Sequence, residues 1–279
     1  MSRKVKIKYQ KAFIVKKKSI LVSILIINYN NEKLLVRAVK SCLNQTYKNV
    51  EILLYDDKSS DDSVREIKKF KKKVKFFINK DKKIKVPAID AAQGYYYLFN
   101  KSKGKIICLL DSDDFFHASK VKTVVDCFKE NKNINFIQNL PLIKTKKQKK
   151  IYKKNKNNFL SFWPYLAPES CISFKKEFIK NFIKDNCSLK NRFRSVWLGF
   201  RMGTYAFFLK KNFLNIDLNL TFYESLGESK KYSFLGKNWL LRRNESFEYL
   251  KKILKNKEYK MTNLDYFVTK ALIKIFAIK

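Results

Sequence analysis

Three aspartates within four residues, Asp111, Asp113 and Asp114 in the run KIICLLDSDD, are the side chains of this sequence best placed to do chemistry. Carboxylates crowded this closely are costly unless something neutralises them, and a divalent cation does so well. Their all-oxygen donors suit Mg²⁺ or Mn²⁺, and Mg²⁺ in particular takes one or two carboxylates and completes its shell with substrate phosphates. On an extended segment alternate side chains point the same way, so Asp111 and Asp113 can hold a ribose hydroxyl and a metal together. Such a metal would clamp a diphosphate and stabilise the charge that develops as it leaves. The plain alternative is an acidic first turn of a helix, favoured by the macrodipole.

The elements that must position these groups are legible as alternating apolar runs and helical patterns. Residues 21–27 (LVSILII) read as a strand buried on both faces. Asn30 and Asn31 then offer a helix cap, and Leu34, Leu35, Ala38, Val39 and Cys42 fall at helical spacing. Residues 51–55 (EILLY) read as a second strand ending at Asp56 and Asp57, with Asp61 capping the next helix. An edge-like strand over 74–78, a helix over 88–99 and a buried strand over 105–110 deliver Asp111. A helix over 119–130 and a strand over 135–140 follow. This alternation predicts an α/β fold, a Rossmann-like, mostly parallel sheet flanked by helices. Ligands of such sheets bind outside the carboxyl ends of the strands, where both acidic clusters lie.

Residues 144–156 read as a Lys-rich loop or hairpin. Segments 174–182 and 193–203 look helical, 204–209 looks like a strand, and the pattern from Trp239 onward is helical. The expected organisation is a basic arm (1–19), a main domain (20–220, with halves 20–140 and 141–220) and a mainly helical carboxyl-terminal extension (221–279).

With 62 Lys and Arg against 24 Asp and Glu, the formal net charge is +38, which calls for an acidic partner or wide dispersal. The lysines are scattered through nearly every segment, so the charge alone names no partner. No RRM, zinc-finger or helix-turn-helix pattern accompanies it, and specific nucleic-acid binding is not expected. Five isolated cysteines argue against a disulfide framework or zinc site. No apolar run approaches the ~20 residues that cross a bilayer. These features predict a cytoplasmic protein, and the basic amphipathic segment 266–279 adds possible peripheral contact with an anionic membrane at its inner face.

The order VSILIINYN, SCLNQTYKNVEILLYDDKSSDDS and GKIICLLDSDD resembles the family 2 nucleotide-sugar glycosyltransferases of the GT-A fold. The matching positions are Tyr29 and Asn30; Ser41, Gln45, Thr46 and Tyr47; Asp56, Asp57 and Ser59; and Asp111, Asp113 and Asp114 of the D-x-D-D motif. The resemblance covers about residues 20–130. It implies a hexosyltransferase-like, inverting, divalent-metal-dependent enzyme. Asp57 would bond the donor base with Tyr29 close to it, Asp111 the ribose, and Asp113 the metal, with Asp114 nearby. It implies a nucleotide-sugar donor, UDP-sugar favoured, a glycan or lipid-linked acceptor, and a role in surface polysaccharide or glycoconjugate synthesis.

Two departures stand out. The Arg-Asn pair that often precedes the fourth strand is missing from KVPAIDAAQGYYYLFN, leaving Lys82, Lys83 or Lys85 as basic groups. In SVWLGFRMG, where relatives often carry the acid that serves as general base, this sequence has Gly199. Glu169 and Asp185 are the remaining candidates for that base. Without one, the chain would be a catalytically degenerate scaffold or a peripheral membrane-binding protein. His117 reads as a helix-start residue, Tyr95, Tyr96 and Tyr97 as divided between core and surface, and Trp197 as core. Trp163 fits an acceptor platform and hydrophobic packing equally.

Overall fold

The run VSILIIN forms β1 (Val22–Asn28), buried at every position. Covering on both faces is why it shows no polar alternation. β2 (Val50–Asp56) and β4 (Ile106–Asp111) flank β1 in parallel, with Asn28 opposite Asp56 and Ile27 opposite Asp111. β3 (Lys75–Ile78) pairs with β2 at the sheet edge, as its half-exposed residues require. The connecting helices are α1 (Glu32–Leu43), α2 (Ser63–Lys68) and α3 (Pro87–Lys101). A two-residue β5 (Phe115–Phe116) and α4 (Lys120–Glu130) follow the aspartate motif. The computed structural model describes residues 19–81, 85–144, 149–151, 163–189, 191–224, 236–254 and 264–276. The basic arm, except Ser19, therefore lies outside the described residues, as do Lys82 and Lys83.

Beyond α4 come β6 (Phe136–Lys144), β7 (Lys149–Ile151), β8 (Ile172–Lys175), α5 (Lys176–Asn186), α6 (Leu198–Thr204), β9 (Phe213–Glu224), α7 (Lys237–Leu254) and α8 (Leu264–Ile275). The sheet runs β3-β2-β1-β4-β8-β6-β9-β5, with β7 hairpinned onto β6. Strands β1–β4, β6 and β9 share one direction, and β5, β7 and β8 oppose it. The expected mostly parallel α/β sheet is thus present. Its parallel character is unbroken only from β3 to β4, because β8 inserts antiparallel between β4 and β6. β9 carries the sheet past residue 220.

Alternation along β1 divides the core. Val22, Ile24 and Ile26 face Leu35, Val39 and Val124 on one side, while Leu25 and Ile27 face Tyr95, Phe99 and Phe178 on the other. Gly104, at the entry to β4, is required by close approach: a Cβ there would lie 2.5 Å from the Ser23 amide nitrogen.

Local expectations fail in four places, each for a tertiary reason. Residues 204–209 are not a strand, for α6 continues as a π-helical turn, Tyr205–Lys210. Leu198, Met202, Tyr205 and Ala206 share one core cluster at helical spacing, whereas a strand would send alternate residues to opposite faces. Phe174 lies in β8 rather than a helix, paired with Ile107 and Phe136 of its two neighbours. Residues ahead of Leu198 are not helical because the buried Arg201 guanidinium donates to the carbonyls of Leu189, Arg192, Phe193 and Val196. The Asn31 side chain does not cap α1. Its Nδ2 donates to Ser112 Oγ, and Asp61 Oδ2 accepts the Glu32 amide instead.

Candidate active site

β4 ends on Asp111, whose Oδ1 accepts the Tyr95 hydroxyl at 2.8 Å while its amide donates to Ser170 Oγ at 3.0 Å. The next turn is gripped by Arg37 of α1. Its Nη2 donates to the Asp113 carbonyl at 2.7 Å and lies 3.0 Å from the Glu224 carboxylate, with the guanidinium over the Phe115 ring. Asp114 Oδ1 accepts the Glu224 amide at 2.9 Å, while its Oδ2 is buried without a hydrogen bond. Beneath lies the buried Lys120, donating to the Ser170 carbonyl and to Thr221 Oγ1.

Burial, then the negative charges of Glu169, Asp113 and Asp114, push the Asp111 carboxyl well above the usual carboxylate range. Burial also raises Asp113, with Arg37 acting against it. Burial and the Asp113 charge push Asp114 up to about 8, against Ser170, the Glu224 amide and Lys120. The cluster thus holds more negative charge than its surroundings compensate. Among the described residues no three His, Cys, Asp or Glu side chains are grouped to hold a metal ion by themselves.

Asp111 and Asp113 open into a cavity of about 400 Å³. Tyr29, Trp197, Phe200 and Tyr223 give it aromatic walls, Glu169 and Glu224 add carboxylates, and Arg242 supplies a positive charge. Trp197, expected in the core, therefore faces this cavity. Tyr29 is more than half exposed at the carboxyl end of β1. Asp57, one strand away, is buried, with Asn79 Nδ2 donating to its Oδ1 at 2.8 Å and its own amide donating to the Asn28 carbonyl. Asp56 organises the loop, accepting from Asn28 Nδ2 and from the amide and hydroxyl of Ser59.

The two candidates for a catalytic base separate. Glu169 begins a short 3₁₀ turn (Glu169–Cys171) ahead of β8 and lines the cavity. Its Oε1 accepts the Gly199 amide at 2.9 Å, and a Cβ on Gly199 would come within 3.0 Å of its Cδ. Its carboxyl thus fills the space where a side chain at position 199 would begin. Asp185, near the end of α5, accepts the Tyr205 hydroxyl and lies 3.7 Å from Lys210 Nζ, and does not line the cavity. His117 is exposed with its Nδ1 beside Ser119 Oγ. Tyr95 is buried and Tyr97 exposed, dividing as expected. Trp163 packs on Phe200 and Phe247 and borders a smaller groove that also includes Phe200, Trp239 and Arg242.

Sequence reasoning missed Arg37, Ser170, Glu224 and Arg242, whose local patterns do not distinguish them from ordinary surface or strand-end residues. A larger cavity, about 760 Å³, lies at the opposite end of the sheet and holds none of these groups.

The curled α/β sheet flanked by helices is that of the GT-A glycosyltransferase fold. Over 92% of this chain and 70% of the other, the structure matches S. aureus TarS in complex with UDP, with a TM-score of 0.60 at 13% identity. It also matches the mannosyltransferase PcManGT from Pyrobaculum calidifontis in complex with GDP-Man and Mn²⁺, over 92% and 74% of the two chains, with a TM-score of 0.52 at 10% identity. The sequence matches the family described as Glycosyl transferase family 2 over residues 23–216, and the chain belongs to that family. Among curated relatives, an uncharacterized glycosyltransferase of Haemophilus influenzae is 36% identical over 115 residues, 40% of this chain and 43% of that protein. The UDP-Glc:alpha-D-GlcNAc-diphosphoundecaprenol beta-1,3-glucosyltransferase WfaP of Escherichia coli is 35% identical over 116 residues, 42% and 44% of the two chains. The matched segments span less than half the length of these relatives.

Proposed function

We propose that this protein transfers a sugar from a nucleotide-diphosphate-sugar, a UDP-sugar in preference, to a hydroxyl of a glycan or lipid-linked acceptor, with inversion, in surface polysaccharide or glycoconjugate synthesis. The observation that carries this reading is the convergence of Asp111, Asp113 and Glu169 on one aromatic-walled cavity at the carboxyl ends of the parallel strands.

Asp111 ends β4 and Asp57 directly follows β2, on either side of β1 and two positions apart along it, so their backbones lie about 12 Å apart, the scale of a nucleoside. In this reading Asp57 accepts from the donor base, Tyr29 lies against that base, and Asp111 accepts from the ribose. Asp113, with Asp114 nearby, is the protein's contribution to a Mg²⁺ or Mn²⁺ site. The fit is chemical: Asp111 and Asp113 bring hard oxygen donors to the cavity, and neighbouring carboxylates whose charges raise one another suit a divalent cation. Among the described residues no three carboxylates are grouped to cage an ion, which would leave coordination positions for diphosphate oxygens. Such an ion, when bound, neutralises the leaving diphosphate. Arg37 fixes the turn that carries Asp113. Glu169, held by the Gly199 amide, is positioned as the base that takes the acceptor hydroxyl proton. The family resemblance puts an acid near position 199, and in this reading Glu169, beside Gly199, serves in its stead. Support for the donor and acceptor classes comes from the name of WfaP, which specifies UDP-Glc and a diphosphoundecaprenol-linked sugar for that protein.

The test is calorimetric titration with UDP, GDP, CDP and dTDP, with and without Mn²⁺, on wild type, Asp113→Ala and Glu169→Gln. Metal-dependent binding of one nucleotide is expected, lost in Asp113→Ala and kept in Glu169→Gln, which instead loses transfer. A folded wild type that binds none of the four would overturn the reading and favour a degenerate scaffold.

A further inference from the structure

Helix α8 is amphipathic, yet it packs on the protein through a mixed side on which Tyr266 meets the Phe247 ring edge-on and ion pairs form, while one apolar stripe faces away. Asp265 takes a two-pronged ion pair from Arg243 of α7. Lys270 Nζ lies 3.0 Å from Glu248, and Lys251 Nζ donates to the Tyr266 hydroxyl at 2.6 Å. Thr269, on the same side, is buried. Leu264, Phe267, Val268 and Ile275 project the other way, together with Phe276 just past the helix, and are 45% to 73% exposed. Positions 264, 267, 268, 271 and 275 follow the i, i+3, i+4, i+7 spacing of a single stripe. A helix that only capped the domain would turn this stripe inward, because burying it is the main source of stability available to it. Here that stripe faces out, and the charged pairs together with Tyr266 against Phe247 hold the helix in place.

From this orientation we infer that α8 is a docking face for an anionic lipid bilayer, lying in the interface with its apolar stripe inserted. The charge argues for this occupant over a second copy. The described residues of α7 and α8 carry seven basic side chains (Lys237, Arg242, Arg243, Lys251, Lys252, Lys270, Lys274) against three acidic ones (Glu245, Glu248, Asp265), on a chain of net charge +38. Two such surfaces repel, whereas anionic headgroups attract them. One 12-residue helix, about 18 Å long, also offers far less than the ~800 Å² per partner of a stable protein interface. No described helix is long and apolar enough to cross a membrane, so this is insertion into the interface. The arrangement bears on the transferase site as well. Arg242, adjacent to the Arg243 that clamps α8, lines the cavity, so lipid docking would bring the mouth of that cavity towards the bilayer.

The test is flotation of the full chain with neutral phosphatidylcholine vesicles and with vesicles containing about 30% phosphatidylglycerol. It is run at low salt and at about 0.5 M salt, where screening suppresses adsorption by net charge alone. Wild type is expected to float with anionic vesicles and to remain partly bound at the higher salt. The double variant Phe267→Asp/Val268→Asp should lose at least about tenfold of that salt-resistant binding. Leu218→Asp, an exposed apolar site on β9, should behave as wild type. Circular dichroism and nucleotide titration check that the variants fold. The inference is overturned if wild type and the double variant float equally at both salts, or if wild type is released as fully as the variant at high salt. A concentration-dependent dimer abolished by the same substitutions would overturn it too, in favour of a second copy. Nucleotide binding reads the transferase site separately, so its failure would leave the docking result standing.

Discussion

The two ends of the sheet treat charge in opposite ways. At the carboxyl end, Asp111, Asp113, Asp114, Glu169 and Glu224 crowd together, with Arg37, Arg242 and the buried Lys120 as their basic neighbours among the described residues. At the amino end, Lys103, Lys105, Lys129, Lys132, Lys175 and Lys176 ring a cavity floored by Ile20, Tyr47, Ile106 and Phe128. There Lys175 and Lys176 point ammonium groups at the carbonyls of Lys132 and Ser102. Solvated lysines on flexible stems cost little and need no fixed partner. Buried carboxylates do need one. In a chain with 62 basic and 24 acidic residues, the lysines are background, and the concentrated acids are where the proposed chemistry is placed.

The contrast is broken or sharpened by substitution. The largest effect is expected at Asp113→Ala, with sugar transfer falling at least about 100-fold and the thermal midpoint nearly unchanged. Steady-state rates beside a melting curve measure both. Next is Lys120→Met, which takes the ammonium from the Ser170 carbonyl and the Thr221 hydroxyl; the Thr221 hydroxyl still donates to that carbonyl and Asn139 Nδ2 to that hydroxyl, so the cost in urea unfolding should be about 2 kcal/mol. Retained stability would mean that Lys120 is as dispensable as the lysines at the other end. Gly104→Ala forces a methyl against the Ser23 backbone and should cost about 2 kcal/mol by the same assay.

Glu51 is the amino end's counter-example, a carboxylate whose demands are met. Burial pushes its carboxyl up, but the Ser23 hydroxyl, the Lys103 and Gly104 amides and the Lys75 charge outweigh it and hold it below its ordinary value of 4.5. A carboxyl depressed on folding contributes stability that is present above its unfolded pKa and is lost as pH falls through the folded one. Glu51→Gln should therefore cost about 1 kcal/mol at neutral pH and flatten the stability profile below pH 4.5, as urea midpoints across pH would show. Smallest of all, Lys105→Ala with Lys132→Ala should leave transfer within about twofold of wild type. A loss comparable to that of Asp113→Ala would show that the basic end takes part in the reaction.

By itself the sequence determined the α/β alternation, the mostly parallel sheet and the strand ends near which Asp57, Asp111 and Asp113 lie. These are local facts. A strand covered on both faces must be continuously apolar, as VSILIIN and IICLLD are, and a polar residue that ends such a run sits at the sheet's rim. Boundaries after residue 170 were misread because Phe174, Tyr205 and Ala206 are apolar in any element, and only their packing partners decide between strand and helix. Tertiary structure alone brought Glu169 against Gly199, thirty positions away, by inserting β8 between β4 and β6. It alone brought Arg37 under Asp113 and the Tyr95 hydroxyl onto Asp111. The outward stripe of α8 is of the same kind. Periodicity shows that a helix has two faces, but which face meets the protein depends on the Arg243–Asp265 and Lys270–Glu248 pairs, and no local spacing encodes which distant charges will meet.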